Sequence, residues 1–300
     1  MSCEGDKMLD TANPVRTDTH AQRKATVDRL TALSIRNKTN PFLDIAWPES
    51  LPEDVMWMPH KLMTVHGTQA GATLTPEQLL RLSKWESIWF YSFNVHGEQH
   101  LLRDVLNCMH SPGYEDVSDY MHHFVCEENN HSWFFSNFCT RYGGKVYVDK
   151  RSQFQAQPLK PAANAFLIFA RILILEEMLD YYNVIIAADE AVPAVIRELN
   201  ALHHYEEARH MAFGRAIVAD LFDKARKNCT DEDIDECRAY LDRYIGWCLD
   251  SLYYPAMYRD AGIADAYQFR NAVMADPGRQ SHHDAMTAKV RKFFAKIGAA

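Results

Sequence analysis

Glycine is scarce in this chain, at 12 of 300 residues, and long apolar runs are lacking. So few glycines argue against a β-sandwich or barrel, whose many tight turns favour glycine. The longest apolar stretch, residues 162–175, contains Asn164 and Arg171 and is too short and too polar to span a bilayer. The first ten residues lack the apolar segment of a signal peptide, so we expect a cytoplasmic protein without a membrane partner.

No CxxC motif occurs among the seven cysteines, and their number is odd. Reduced thiols are therefore expected, rather than a disulfide framework or a Cys zinc site. Positive charge is also in deficit, since 40 acidic residues face 32 basic ones and the net charge is −8. A net acidic chain is not expected to bind nucleic acid, whose phosphate backbone attracts cations.

Helical patterns occupy most of the chain after residue 74. Thr75, Pro76 and Gln78 form a capping box with proline at the first helical position, which marks the start of the first long helix. Further proline, glycine and capping residues predict helices at 75–107, 116–141, 162–188, 193–227, 230–258, 264–274 and 284–296. Residues 145–149 fit either a short strand or an extended linker.

Two regions are expected along the chain. Residues 1–74 form a polar leader, with a short amphipathic piece near Leu30 and a loop rich in proline and aromatic residues. Residues 75–300 form a single helical domain, in which the helices between about 75 and 227 carry the candidate site.

Two of the predicted helices carry a Glu-x-x-His motif where an apolar stripe would otherwise continue. Glu128 and His131 interrupt the stripe of one helix, and Glu207 and His210 interrupt that of another. Residues three positions apart are neighbours on one helix face. Because a buried carboxylate without a partner costs several kcal/mol, such a face needs a cation.

The other two long helices each offer an inward carboxylate. Glu98 shares an apolar stripe in the first helix. In the third, Glu176 has Glu177 as a rival, since that helix is apolar nearly all round and the stripe does not choose between them. His203 lies one turn before Glu207 and within roughly 60° of it around the helix axis.

One Glu from each of two helices, with Glu-x-x-His from each of two others, is the pattern of ferritin-like di-iron and di-manganese proteins. Four carboxylates balance two divalent cations, and oxygen donors with a few imidazoles suit Fe or Mn. The sequence therefore predicts an all-α fold, a ferritin-like helical bundle with a dinuclear metal site in its core and extra C-terminal helices. A non-catalytic iron-binding bundle is one alternative, which the complete buried ligand set disfavours.

The order of these residues resembles that of the p-aminobenzoate N-oxygenase family, a branch of the ferritin-like di-iron oxygenases, over about residues 75–225. That branch adds a histidine four residues before the Glu of its last motif, as His203 does in HHYEEARH. The 31-residue gap from Glu176 to Glu207 also resembles the family's and favours Glu176 over Glu177. The resemblance implies that the metal ligands, and through them the catalytic centre, are Glu98, Glu128, His131, Glu176, His203, Glu207 and His210.

The resemblance further implies an O2-dependent di-iron monooxygenase of secondary metabolism. Its substrate would be a small amine, an arylamine or another, oxygenated at nitrogen to a hydroxylamine, nitroso or nitro product. It would use two Fe ions, with Mn as the alternative, O2 as co-substrate and a reductase or other external electron donor. Ferritin-like oxygenases are often dimers, so a homodimer is also implied. The enzymatic alternative is a di-iron hydroxylase or desaturase that acts on carbon. His203 is the sequence feature that distinguishes the N-oxygenase from this alternative.

A benzoate substrate would need a cation in its pocket. Arg171, Arg209 and Arg215 could serve, but the residues before Glu98 and after Glu176 are apolar. This favours a substrate that is less acidic than an aminobenzoate, or one that is not aromatic.

Overall fold

Helices form all the regular secondary structure in residues 19–148 and 159–300, which the computed structural model describes. The all-α prediction is thus confirmed for this part of the chain. The helices are α1 (Thr19–Arg36), α2 (Pro41–Asp44), α3 (Pro76–Cys108), α4 (Ser118–Gly143), α5 (Pro161–Ala187), α6 (Ala194–Asn228), α7 (Asp231–Ser251), α8 (Pro255–Asp260), α9 (Ala266–Ala275) and α10 (Gln280–Ile297). Among these residues, no helix is long and apolar enough to cross a membrane.

The helix boundaries follow the local capping residues. The Thr75 hydroxyl accepts a hydrogen bond from the Gln78 backbone at 3.2 Å, and the Gln78 side chain accepts one from the Thr75 backbone at 2.9 Å. These reciprocal bonds satisfy two amide groups that the first helical turn leaves unpaired. Helix α4 ends at Gly143 and is capped by Gly144, whose φ of +70° is left-handed and favours glycine over other residues.

Four long helices form the bundle. Helix α3 packs against α4, and α5 packs against α6, with α7 and α10 lying against α5 as well. Helix α5 is therefore covered on several sides, which explains why its sequence is apolar nearly all round. The predicted C-terminal helices beyond the bundle are α7 to α10.

The N-terminal region contributes to the packing. Helix α1 has 18 residues and lies against α4 and α6, with Val27 and Leu30 buried. Arg23 is also buried, and it forms ion pairs with Asp116 at 2.7 Å and Asp220 at 2.5 Å. The short amphipathic piece near Leu30 is thus part of the 18-residue helix α1. The division of the chain into two regions at residue 74 stays a prediction.

One predicted helix end is wrong, and of the two alternatives for residues 145–148 the structure shows the linker. The fifth helix was expected to reach residue 258, but α7 ends at Ser251 and α8 begins at Pro255. Proline cannot donate the helical hydrogen bond and biases the residue before it toward extended backbone, which Tyr254 adopts. Residues 145–148 form no strand; they are a linker held by the Tyr147 amide, which donates to the Ser92 hydroxyl at 3.0 Å. Residue 149 lies outside the described part.

A buried carboxylate, Glu86 on α3, anchors the loop that precedes this helix. It accepts hydrogen bonds from the Thr64 backbone amide at 3.0 Å and from the Thr64 hydroxyl. The Tyr258 hydroxyl donates in turn to Thr64 at 2.8 Å. Burial raises the pKa of Glu86 to about 7, although the Thr64 hydrogen bonds and the charge of Arg279 act in the opposite direction.

The free energy of unfolding is expected to fall as the pH rises from 4.5 to about 7, because folded Glu86 keeps its proton where the unfolded chain has lost it. The raised pKa of Glu86 corresponds to about 3 kcal/mol. Glu86→Gln stays neutral and keeps an acceptor for Thr64. It should therefore be more stable than the wild type by about 3 kcal/mol near pH 8, and by less than about 1 kcal/mol near pH 4.5.

Chemical denaturation at the two pH values measures this difference. The exposed Glu198→Gln is the control for losing one negative charge. An equal gain for both variants near pH 8 would contradict the assignment to Glu86.

Candidate metal centre

The structure brings the seven sequence-predicted site residues together in the middle of the bundle. They form three overlapping groups in which one donor atom per residue lies within 4.8 Å of the others. The groups are Glu128, His131, Glu207 and His210; Glu98, His131 and His203; and Glu98, Glu128 and Glu176. All seven side chains are buried.

The two Glu-x-x-His motifs face each other across α4 and α6. The Nδ1 atom of His131 lies 3.2 Å from an oxygen of Glu128 and 3.2 Å from one of Glu207. The Nδ1 atom of His210 lies 2.6 Å from Glu128 and 3.3 Å from Glu207. Both carboxylates therefore lie between the two imidazoles, and the four side chains could hold a metal ion together.

His203 occupies the third imidazole position, and its neighbour His204 does not. The His203 Nε2 atom lies 2.8 Å from a Glu207 oxygen and 3.8 Å from a Glu98 oxygen. Its Nδ1 atom lies 2.8 Å from the side-chain amide of Asn183. His204 points elsewhere and pairs with Asp180 at 2.5 Å, with 44% of its side chain exposed.

Glu176 and Glu177 are separated by their partners. Glu176 lies in the group with Glu98 and Glu128. Glu177 forms an ion pair with Arg215 instead. Adjacent helical residues point about 100° apart, so only one of the two can face the bundle axis. Glu176 is the one that lies with the carboxylates of the cluster, and its role as a metal ligand stays a prediction.

Several buried polar atoms in the cluster lack hydrogen-bond partners, and this is what a cation site requires. They are Glu128 Oε1, both oxygens of Glu207, His203 Nε2 and His210 Nδ1. An unsatisfied buried polar atom costs about 1–3 kcal/mol, so five in one place need a common partner. The four carboxylates and three imidazoles fit two ions of Fe or Mn.

The carboxylates also perturb one another. Burial raises the pKa values of Glu98 and Glu176 well above the usual range, and neighbouring carboxylates add to this effect. Burial acts the same way on Glu207, but the nearby His210 and His203 hold its pKa well below the usual range. Such divergent pKa values within one cluster are typical of functional sites.

Two further glutamates, which the sequence analysis did not predict, contact the histidines from outside the cluster. His131 Nε2 lies 2.9 Å from Glu206 Oε2, and His210 Nε2 lies 2.8 Å from Glu127 Oε2. Each contact crosses between α4 and α6, and Arg209 donates to Glu127 at 2.8 Å. The doubled glutamates at 127–128 and 206–207 are the sequence feature that could have indicated them. Hydrogen bonding at Nε2 leaves the Nδ1 lone pair of each histidine directed into the cluster.

Glu206→Gln is expected to weaken metal binding by about 10–100-fold, because glutamine keeps the shape of the side chain and loses the charge that orients His131. Competition with a chelator measures the affinity, with the exposed Glu198→Gln on the same helix as control. Unchanged affinity in Glu206→Gln would show that this contact does not orient the imidazole.

Comparison with solved structures shows the fold alone. The chain is similar to an R2-like ligand-binding oxidase variant with an aerobically reconstituted Mn/Fe cofactor, with a TM-score of 0.50 and 16% identity, over 99% of this chain and 98% of that chain. Another variant, reconstituted anaerobically, has a TM-score of 0.49 and 17% identity over 90% of this chain and 92% of that chain. A comparison with curated proteins gave no match.

A family model provides the assignment. The model described as P-aminobenzoate N-oxygenase AurF matches residues 20–298, which span all ten helices almost completely. The resemblance noted in the sequence is therefore confirmed over a longer stretch than residues 75–225. The chain belongs to the p-aminobenzoate N-oxygenase AurF family, whose members are oxygenases of the ferritin-like class.

Proposed function

We propose that this protein is a di-iron oxygenase that places one oxygen atom of O2 on the nitrogen of a small amine. The first step is R–NH2 + O2 + 2e⁻ + 2H⁺ → R–NHOH + H2O, with both electrons from an external reductant. Further rounds would give nitroso or nitro products. The observation that carries the proposal is the buried set of four carboxylates and three imidazoles, in a member of this family.

The protein's part is to hold the two ions and balance their charge. Glu98, Glu128, Glu176 and Glu207 carry four negative charges against the four positive charges of two divalent ions. Glu128 and Glu207 each lie between His131 and His210, so they would help to hold the ions together with both imidazoles. The bound ions would supply O2 activation, and Mn is the alternative to Fe for this donor set.

The aromatic residues around the histidines keep water out. The ring of Phe124 lies 4.4 Å from that of His210, and the ring of Phe135 lies 4.9 Å from that of His203. Phe134 lies 5.4 Å from His131. A dry surrounding protects a reactive oxidant from hydrolysis and leakage, so it directs oxidation to the bound substrate.

The test is anaerobic loading with Fe(II), followed by O2, a chemical reductant and simple amines. We expect two irons per chain and a product carrying one oxygen atom from isotope-labelled O2 on nitrogen. A label on carbon would identify a hydroxylase instead. Growth of an iron mineral without an oxidised amine would identify a storage protein.

A further inference from the structure

Five of the seven clustered side chains are more deeply buried than the other two, which mark the more exposed side of the centre. Glu128, His131, His203, Glu207 and His210 are at most 1% exposed, whereas Glu98 and Glu176 are 5% and 6% exposed. The two more exposed carboxylates lie on α3 and α5, which carry Glu98 and Glu176 respectively. A substrate approaching the metal ions would enter from this side.

The surroundings of this more exposed side are mostly apolar. Residues three or four positions from Glu98 and Glu176 share their helix faces. Val95, Leu101 and Ile172 are among the apolar ones, and the two polar ones are Asn94 and Asp180. Ile172 keeps 7% exposure, a value similar to that of Glu176 itself. A ligand in this space would be held mainly by contact with hydrocarbon.

Three arginines could bind a substrate carboxylate according to the sequence. In the structure, each of them forms an ion pair with a carboxylate of the protein. Arg171 pairs with Asp104 at 3.0 Å and also donates to the Tyr240 hydroxyl at 3.1 Å. Arg209 pairs with Glu127 at 2.8 Å, and Arg215 pairs with Glu177. A substrate acid that bound through any of them would therefore have to share the guanidinium with a carboxylate of the protein.

The negative charge around the centre also disfavours a substrate that carries a carboxylate. Six carboxylates, four in the cluster and two behind the histidines, surround it together with Arg209. Two divalent ions therefore leave a formal charge of −1. An incoming carboxylate would be repelled in a buried region where charges interact more strongly than in water.

We propose that the substrate of this chain is an amine without an acid group, in contrast to the aminobenzoate of the family's name. This inference rests on the proposed function for the identity of the reacting group. The Arg171–Asp104 pair contributes to the preference for an acid-free amine, because Arg171 on α5 already has a carboxylate partner and is not available to a substrate carboxylate.

The test compares p-aminobenzamide with p-aminobenzoate, which have nearly the same shape and differ in charge. Calorimetry on protein loaded with Mn(II), without O2 or reductant, measures binding in the absence of turnover. We expect the amide to bind at least about tenfold tighter, which corresponds to about 1.4 kcal/mol. A preference below this tenfold, or no binding of the amide, would overturn the proposal. Binding of p-aminobenzoate as tight as that of the amide would overturn it too, because the site would then accept an acid.

A matched pair of variants tests the role of the ion pair. Asp104→Asn leaves Arg171 without its carboxylate, so the preference for the amide should fall at least threefold. Asp242→Asn breaks the surface pair with Arg291 and should leave the preference unchanged. An unaltered preference in Asp104→Asn would overturn the role of Arg171. Amide binding without an O2-dependent product would count against the proposed function and leave this inference standing.

Discussion

Replacing Glu207 with glutamine is expected to reduce metal loading from two ions per chain to fewer than one. Glu207 is the carboxylate that approaches all three histidines of the cluster, at 3.2 Å from His131, 2.8 Å from His203 and 3.3 Å from His210. Glutamine offers one neutral oxygen and an NH2 group that repels a cation. Both ions would thus lose an anionic donor in a buried site, where unbalanced charge is costly.

The measurement is metal content after anaerobic loading and desalting, combined with thermal unfolding. Glu198→Gln, exposed on the same helix, should load like the wild type. The metal-free Glu207→Gln protein should unfold at a slightly lower temperature than the metal-free wild type, because His210 and His203, which hold the pKa of Glu207 low, lose a charged partner. Normal loading of Glu207→Gln would remove this residue from the ligand set, and a large loss of stability would point to a structural role instead.

The Glu-x-x-His pairs could be predicted from the sequence because they violate a pattern. Both lie where the 3.6-residue period calls for apolar side chains, and burying charge there demands compensation. The long helices of the bundle could also be predicted from the sequence, because capping residues such as Thr75 act within one helical turn and need no distant partner.

Contacts between helices were not predictable in the same way. Glu127 and Glu206 hold histidines on the opposite helix, and the rotation of α4 against α6 that allows this is set by packing. The buried pairs of Arg23 with Asp116 and Asp220 join residues 93 and 197 positions apart along the chain. In the sequence, Arg23 is one of several charged residues in a polar segment, and nothing marks it as buried. Its partners become apparent only when α1 lies against α4 and α6.

His203→Ala and His204→Ala form the second decisive comparison, because the two residues are adjacent and differ in environment. His203 is 1% exposed, and its Nε2 atom has no hydrogen-bond partner although it lies 2.8 Å from Glu207. We expect His203→Ala to lower amine oxidation by at least about tenfold, since losing even an outer partner of a metal ligand costs about 10–100-fold. His204→Ala removes a partly exposed ion pair worth at most about 1 kcal/mol and should stay within about twofold of the wild type.

Addition of free imidazole separates a ligand role from a structural one. Removing the side chain of His203 leaves a cavity beside Glu207, which a small imidazole can fill while offering the same nitrogen donor. Restored activity in His203→Ala, with no effect on His204→Ala, would support metal binding by His203. If imidazole failed to rescue a folded His203→Ala that still held two irons, His203 would not be a ligand. The distinction from a di-iron enzyme acting on carbon would then rest on product analysis alone, because His203 is the residue that sets the N-oxygenase pattern apart.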